Sequence, residues 1–263
     1  MTASTRRVPL GGLFGLGFAT NFLDALGVGS FATTTAAMKL GRLTDDANIP
    51  GTLNVGHALP TILQAAIFLT IIRVDAITMA LMVAAAATGA YVGAGRVSRW
   101  PRRAIQLGMA IALLVTAAII TLRQLEVFPS GGEAIGLAGL ALLLAVAASA
   151  VIGALISLGI GNYAPTMAVT YLLGMSPRAV FPIMATSAAL MLPLAAWRFY
   201  RSGRFDHWIA IGLALGGIPG VLVAAFIVKE LDVTLLLWVV VGVLLYTSAM
   251  LYRASRTEQE AAS

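Results

Sequence analysis

Few side chains in this sequence combine reactivity with an apolar setting, and they fall into a small set. Asp24 is the sole acid deep inside an apolar run, and His57 is the sole histidine so placed, since His207 falls at a helix boundary. An acid in such surroundings is costly and marks a pathway or a proton relay. An imidazole titrates close to neutral pH, so Asp24 and His57 together are candidates for coupling proton movement to another event. Two glycine-rich breaks, Gly27-Val28-Gly29-Ser30 and Gly159-Ile160-Gly161-Asn162, interrupt long apolar segments. A helix that restarts after such a break leaves its first N–H groups unpaired and presents partial positive charge, the setting for an anion. Candidate anion ligands are therefore Gly29, Ser30, Phe31, Thr33 and Thr34 after the first break, and Gly161, Asn162, Tyr163 and Thr166 after the second. Asn54, three residues before His57 and on its helical face, joins them, as do Thr186 and Ser187 in the matching stretch of the second half. The plainer roles are helix capping by Ser, Asn and Thr and interhelical hydrogen bonds worth about 0.6 kcal/mol each.

The elements that must position these groups follow from composition. Of 263 residues 59% are hydrophobic and 11% charged, and mean hydropathy is +0.93. A soluble domain carries about 25% charged residues, so this chain needs lipid around most of its surface. Six runs are long and apolar enough to span a bilayer: 51–72, 75–95, 104–122, 178–200, 207–228 and 233–252. Segments 9–40 and 134–175 are longer than one span and carry the glycine breaks. Arg6 and Arg7 precede an apolar run with no cleavage pattern after it, so the N-terminus reads as retained. The polar tail from Arg253 reads as disordered.

An internal repeat organises the runs. Gly27–Ala32 lies over Gly159–Ala164, Leu40-Gly41 over Leu173-Gly174, Pro60 over Pro193, Arg73 and Asp75 over Arg204 and Asp206, and Gly89 over Gly220, at an offset of 131–133 throughout. Residues 1–125 and 126–252 are thus two related halves, followed by the tail 253–263. If each broken segment folds as a hairpin and returns to its starting side, the 17 Lys and Arg divide 13 to 4: Arg73, Arg123, Arg178 and Lys229 lie on one side and all others on the second. A single crossing would divide them 9 to 8. The positive-inside rule selects the hairpins. Each half then makes three net crossings and the halves are inverted. The expected fold is all-α and polytopic, with both termini cytoplasmic. Trp100, Trp197, Tyr200, Trp208 and Tyr252 fall at helix ends, as an interfacial aromatic belt does.

Other chemistries find little support. The sequence has no cysteine, hence no disulfide or thiolate metal site, and no paired carboxylates, phosphate-binding loop or nucleophile elbow within its helices. Asp45-Asp46 falls in a loop. The net charge of +6 sits in short loops between apolar runs rather than on a nucleic-acid-binding surface. An enzyme, a cofactor, a metal and a nucleic-acid partner are not expected.

The segments Gly27-Val-Gly-Ser-Phe31, Gly159-Ile-Gly-Asn-Tyr-Ala-Pro165, Gly174-Met-Ser-Pro-Arg-Ala179 and Ala185-Thr-Ser187 resemble the sulfite exporter TauE/SafE family. They look like its glycine-rich turn, following proline and later Ala-Thr-Ser pattern, once per half, with Ser30 and Asn162 interrupting the glycine run. The resemblance implies a membrane transporter for sulfite, sulfonates or related small anions. With the breaks as anion sites, the expectation is a secondary transporter working by alternating access, coupled to protons or to the membrane potential. A passive anion channel, or a membrane scaffold without flux, is the alternative.

Overall fold

The computed structural model describes residues 8–26, 29–127, 131–159, 161–227 and 234–260. Gly27, Val28 and Ile160 of the breaks, and Arg6, Arg7 and Lys229 of the charge division, lie outside the described residues. Among the described residues ten α-helices form: α1 Leu10–Ala25, α2 Ser30–Gly41, α3 Ile49–Ile71, α4 Ala76–Val97, α5 Arg102–Gln124, α6 Gly139–Ile156, α7 Tyr163–Leu172, α8 Pro177–Ser202, α9 His207–Ile227 and α10 Thr234–Glu260. All six long apolar runs are helices, and each broken segment is a pair of shorter ones. Six helices among the described residues are long and apolar enough to cross a membrane, α6 included. The fold is an all-α polytopic membrane bundle.

Helix ends form where local chemistry dictates. Asp75 caps α4, accepting from the Thr78 backbone N–H and hydroxyl, both at 2.7 Å, and these donors hold its carboxyl below the usual carboxylate range. Its repeat counterpart Asp206 accepts the Ile209 N–H at the start of α9 at 3.1 Å. Extended Ser176 followed by Pro177 starts α8, and Gly203 at φ +69° ends it. The tail beyond Arg253, expected to be disordered, instead continues α10 to Glu260. Its Ala, Arg, Gln and Glu residues favour helix, and Gln259 accepts a hydrogen bond from Arg103.

The helix contacts pair off between the two parts of the chain. α1 packs on α9 as α6 packs on α4; α3 packs on α9 as α8 packs on α4; α2 touches α10 as α7 touches α5; and α3 meets α8, and α5 meets α10, as like helices. The matched glycines do the same job in both halves. A Cβ on Gly89 would strike the Ala150 backbone of α6, and one on Gly220 would strike the Phe18 backbone of α1. Only glycine permits backbones to come so close. Gly89→Val and Gly220→Val should each destabilise by about 1–3 kcal/mol through overpacking, seen as a lower Tm in detergent. Gly15→Val, where a Cβ meets nothing within 4 Å, should leave Tm unchanged.

The hairpins open toward opposite faces of the bundle. Leu13 and Phe18 lie against Gly212 and Gly220, so α1 runs parallel to α9 and starts at the same face. α2 returns to that face, where Lys39 pairs with Asp46 just before α3. In the second half α6 runs parallel to α4, from Gly136 beside Asp75 to Ala154 beside Gly93. α7 returns to the face where Gly132 and Ala134 hydrogen-bond to Met175 and Gly174. The face where α1 starts holds Lys39, Arg42, Arg96, Arg99, Arg102, Arg103, Arg198, Arg201, Arg204, Arg253 and Arg256; the other holds Arg73, Arg123 and Arg178. Leu140, Leu143, Leu144 and Val151 of α6 point outward as a lipid-facing surface. Of the aromatic belt, Trp197, Tyr200, Trp208 and Tyr252 are exposed as such a belt requires. Trp100 instead packs against the core.

Candidate functional site

The tips of both hairpins lie inside the bundle. In the first, Gly29 adopts φ +89°, a left-handed conformation that favours glycine, and α2 begins at once with Ser30. The Ser30 N–H donates to Asp24 Oδ1 at 2.6 Å. Asp24 thus closes the break from the end of α1, and its carboxylate occupies the N-terminus of α2. Its Oδ2 is buried without a hydrogen-bond partner.

One helical turn into α2, Thr34 Oγ1 lies 3.1 Å from His57 Nε2, and His57 Nδ1 lies 3.1 Å from Asn21 Oδ1. Asn21 in turn donates from Nδ2 to the Gly17 carbonyl, which leaves its Oδ1 as the acceptor for the ring. A neutral imidazole with the proton on Nδ1 satisfies the chain, accepting from Thr34 at Nε2. The Phe31 ring packs against the imidazole, centroids 5.7 Å apart. Both ring nitrogens of His57 are therefore engaged with Thr34 and Asn21 rather than with Asp24. Thr33 turns back to the Gly29 and Ser30 carbonyls, each at 3.0 Å.

The second break is built differently. Gly159 adopts φ +88°, and α7 starts at Tyr163. Asn162 is the N-cap residue of α7, but its side chain makes no cap hydrogen bond. Its Nδ2 donates to the Met184 carbonyl of α8 at 2.8 Å, and its Oδ1 accepts from Thr166 at 2.8 Å. The side chain ties α7 to α8 just before Thr186 and Ser187. The two tips approach one another: a Cβ on Gly159 would lie 3.3 Å from Thr35 Oγ1 of α2 and 3.7 Å from Leu53 of α3.

Between the tips is a set of polar atoms with no partner: Asp24 Oδ2, Thr35 Oγ1, both amide atoms of Gln64, Ser157 Oγ and the Tyr163 hydroxyl. Asn54 Oδ1 of α3 and Thr186 Oγ1 of α8 share that state, while Asn54 Nδ2 bonds the Pro50 carbonyl. The Gln64 amide lies near both Asp24 and Tyr163 without a hydrogen bond to either, so all three retain free valences. Buried polar groups are normally satisfied, and each one left open costs about 1–3 kcal/mol. Space is also available. A Cβ on Gly29 or on Gly161 meets no atom within 4 Å, although Gly29 is buried. A cavity of about 120 Å³ lies beyond the first tip, between Ala25, Gln64, Phe68 and Ala224.

Gln64 and Ser157 carried no sequence expectation. Gln64 had a signal, because it follows His57 by seven residues, two helical turns along the same face. Ser157 had none, since serine is common in membrane helices as a backbone-bonded residue. Among the described residues no cluster of His, Asp and Glu could hold a metal ion.

Outside the core, the face where the second hairpin opens carries a cavity of about 870 Å³ lined by Arg73, Arg178, Glu133 and the Gly131-Gly132 turn. Two arginines against one carboxylate make this mouth attractive to anions.

Helix lengths, apolar surface and paired hairpin tips define a multi-pass α-helical membrane protein with an enclosed polar centre. Residues 141–263, spanning α6 to α10, match the family model described as Sulfite exporter TauE/SafE, the family whose pattern both breaks resemble. That match, with the apolar helices, identifies the chain as a membrane transport protein. No curated protein and no solved structure matches the chain.

Proposed function

We propose that the chain is a secondary transporter of a small oxyanion, sulfite or an organosulfonate, which it moves across the cytoplasmic membrane by alternating access. The observation that carries this reading is the group of unsatisfied donors between the two tips, beside open space at Gly29 and Gly161. A sulfonate or sulfite offers three oxygens of acceptor character, which complement the hydroxyls of Thr35, Ser157 and Tyr163, the Gln64 amide and the N-terminus of α7. Ser30, Asn162, Thr166, Thr34, Phe31, Asn54, Thr186 and Ser187 shape and hold that centre.

Alternating access is supported by the architecture. The packing pattern is unchanged when the halves are exchanged, and the hairpins open to opposite faces, which fits a pair of inverted repeats. The basic face, where α1 starts, is the cytoplasmic one by the positive-inside rule, with both termini on that side. Cysteines placed at Arg99 and Arg201 should then be labelled from the same side.

The deciding experiment is flux in proteoliposomes. Saturable uptake of radiolabelled sulfite, stimulated by sulfite on the opposite side, is the expected result. Non-saturating flux without trans-stimulation would identify a channel, and no flux of sulfite or sulfonates would identify a scaffold. For entry from the arginine-lined face, Arg73→Gln with Arg178→Gln should raise the apparent KM about threefold to tenfold at low ionic strength. The effect should fade at high salt, where exposed charges are screened.

A further inference from the structure

Asp24 and its surroundings break the equivalence of the two halves. Its Oδ1 accepts the first N–H of α2 at 2.6 Å. That is the position a bound anion would take at a helix N-terminus. The repeat counterpart of Asp24 in α6 is Ile156, which is buried and packed in the hydrophobic core. The start of α7 therefore has no resident acid. It has instead the open space at Gly161 and the Tyr163 hydroxyl, which is unpartnered on a residue only 4% exposed.

The two centres are close enough to sense each other. The Asp24 charge acts on Tyr163, the first residue of α7, and Gln64 lies between them. Among the described residues, Ser30 of α2, Gln64 of α3 and Tyr163 of α7 are the polar or titratable groups that face Asp24. From α9 the lining is Val221, Ala224 and Ala225. His57 of α3 is held by Thr34 and Asn21. No Lys or Arg among these groups offsets a second negative charge, and two like charges in a dry site do not coexist without a proton.

Resting on the transporter reading, we infer that Asp24 is a resident carboxylate that fills the first break, so that one anion binds per chain, at the start of α7, and binds together with one proton on Asp24. The balance is simple. A proton from the aqueous phase adds to Oδ2, the free oxygen of the carboxylate, while Oδ1 keeps the Ser30 N–H. The site then takes up one anion and one proton and gains no net charge.

The test is titration calorimetry of the full chain in detergent with methanesulfonate, whose charge is fixed across the working pH range. It is run in two buffers of different ionisation enthalpy. Wild type should bind one anion per chain with uptake of up to one proton, and affinity should weaken by up to tenfold for each pH unit above the Asp24 transition. Asp24→Asn should bind methanesulfonate with no proton uptake and no pH dependence. Its Oδ1 can still accept from Ser30, so the break keeps its geometry. Asp24→Glu should restore the proton count. Proton uptake that persists in Asp24→Asn would overturn the inference and leave the transporter reading standing, as would two anions bound per wild-type chain or wild-type binding without protons. Sulfite in parallel tests the layer beneath: if wild type binds neither sulfite nor methanesulfonate, the transporter reading falls and takes the inference with it.

Discussion

Replacing Tyr163 by Phe is expected to stabilise the protein while weakening its hold on an anion about tenfold or more. The two effects have opposite signs because of one atom. The Tyr163 hydroxyl is buried and has no hydrogen-bond partner, so in the empty protein it carries a desolvation cost of about 1–3 kcal/mol that Phe would remove. The ring itself belongs to an apolar cluster with Met82, Met167, Ile183 and Met184, and Phe preserves that packing. Tm in detergent should therefore rise by a few degrees. When an anion occupies the start of α7, the same hydroxyl becomes its donor, and a hydrogen bond to a charged group contributes about 1.5–3 kcal/mol. Losing it should cost about tenfold to a hundredfold in affinity. Thermal shift with and without sulfonate reads both terms, because ligand stabilisation should shrink while the unliganded Tm climbs. A hydroxyl that serves structure alone would give the reverse, a lower Tm and unaltered binding. Most core substitutions cannot separate these roles, and this one can because its cost is visible before any ligand is added.

Much of this architecture was legible in the sequence because membranes leave few solutions. Backbone groups in lipid must be paired within the segment, so apolar runs of span length become helices, and all six did. The glycine matches were informative for a steric reason: Gly89 and Gly220 sit where a backbone passes too near for a Cβ, and such positions tolerate little else. Asp75 and Asp206 each accept a backbone N–H at the start of the helix that follows, a role that short acidic side chains fill well. The core of the site was harder to see. The sequence marked Asn162 as a cap or ligand, but which of its neighbours it would bond depended on how α8 crosses α7, and the side chain went to the Met184 carbonyl. Asp24 and His57 stood out as ionisable residues, yet their spacing could not tell that each would be engaged by different partners. Gln64 was hidden among apolar neighbours although it shares the His57 face. Propensity and periodicity place a residue on a helix face; the tertiary crossing decides which face meets which.

A second large effect is expected at the opposite end of the first hairpin. Asp46→Ala should destabilise the protein by about 3–5 kcal/mol. Asp46 is the hub where α2, the short loop before α3, and α5 are joined. Its Oδ2 receives Lys39 of α2 and Gln106 of α5 at 2.7 Å, and the Arg102 guanidinium lies 3.9 Å away. The carboxylate side chain is 5% exposed and the Lys39 side chain 13%, so water replaces little of what the substitution removes and an ammonium is left buried. The neighbouring Asp45–Arg102 pair is about 40% exposed at each side chain, and breaking it should cost no more than about 1 kcal/mol. Asp45→Asn, which keeps the acceptor that Asp45 Oδ1 offers the Ala47 N–H, is thus the internal control, with a small Tm change beside a large one. The pair Lys39→Met with Asp46→Leu should recover a good part of the loss, since apolar residues of similar volume replace a buried ion pair at little cost. Recovery should be incomplete because Gln106 would lose its acceptor. That double variant also separates stability from motion. It keeps the fold but releases the ionic tie between the end of α2 and the start of α3, so if the first hairpin must part from this loop during transport, flux should rise even as Tm returns toward wild type. Flux that merely tracks Tm across the three variants would show that the tie serves the fold alone.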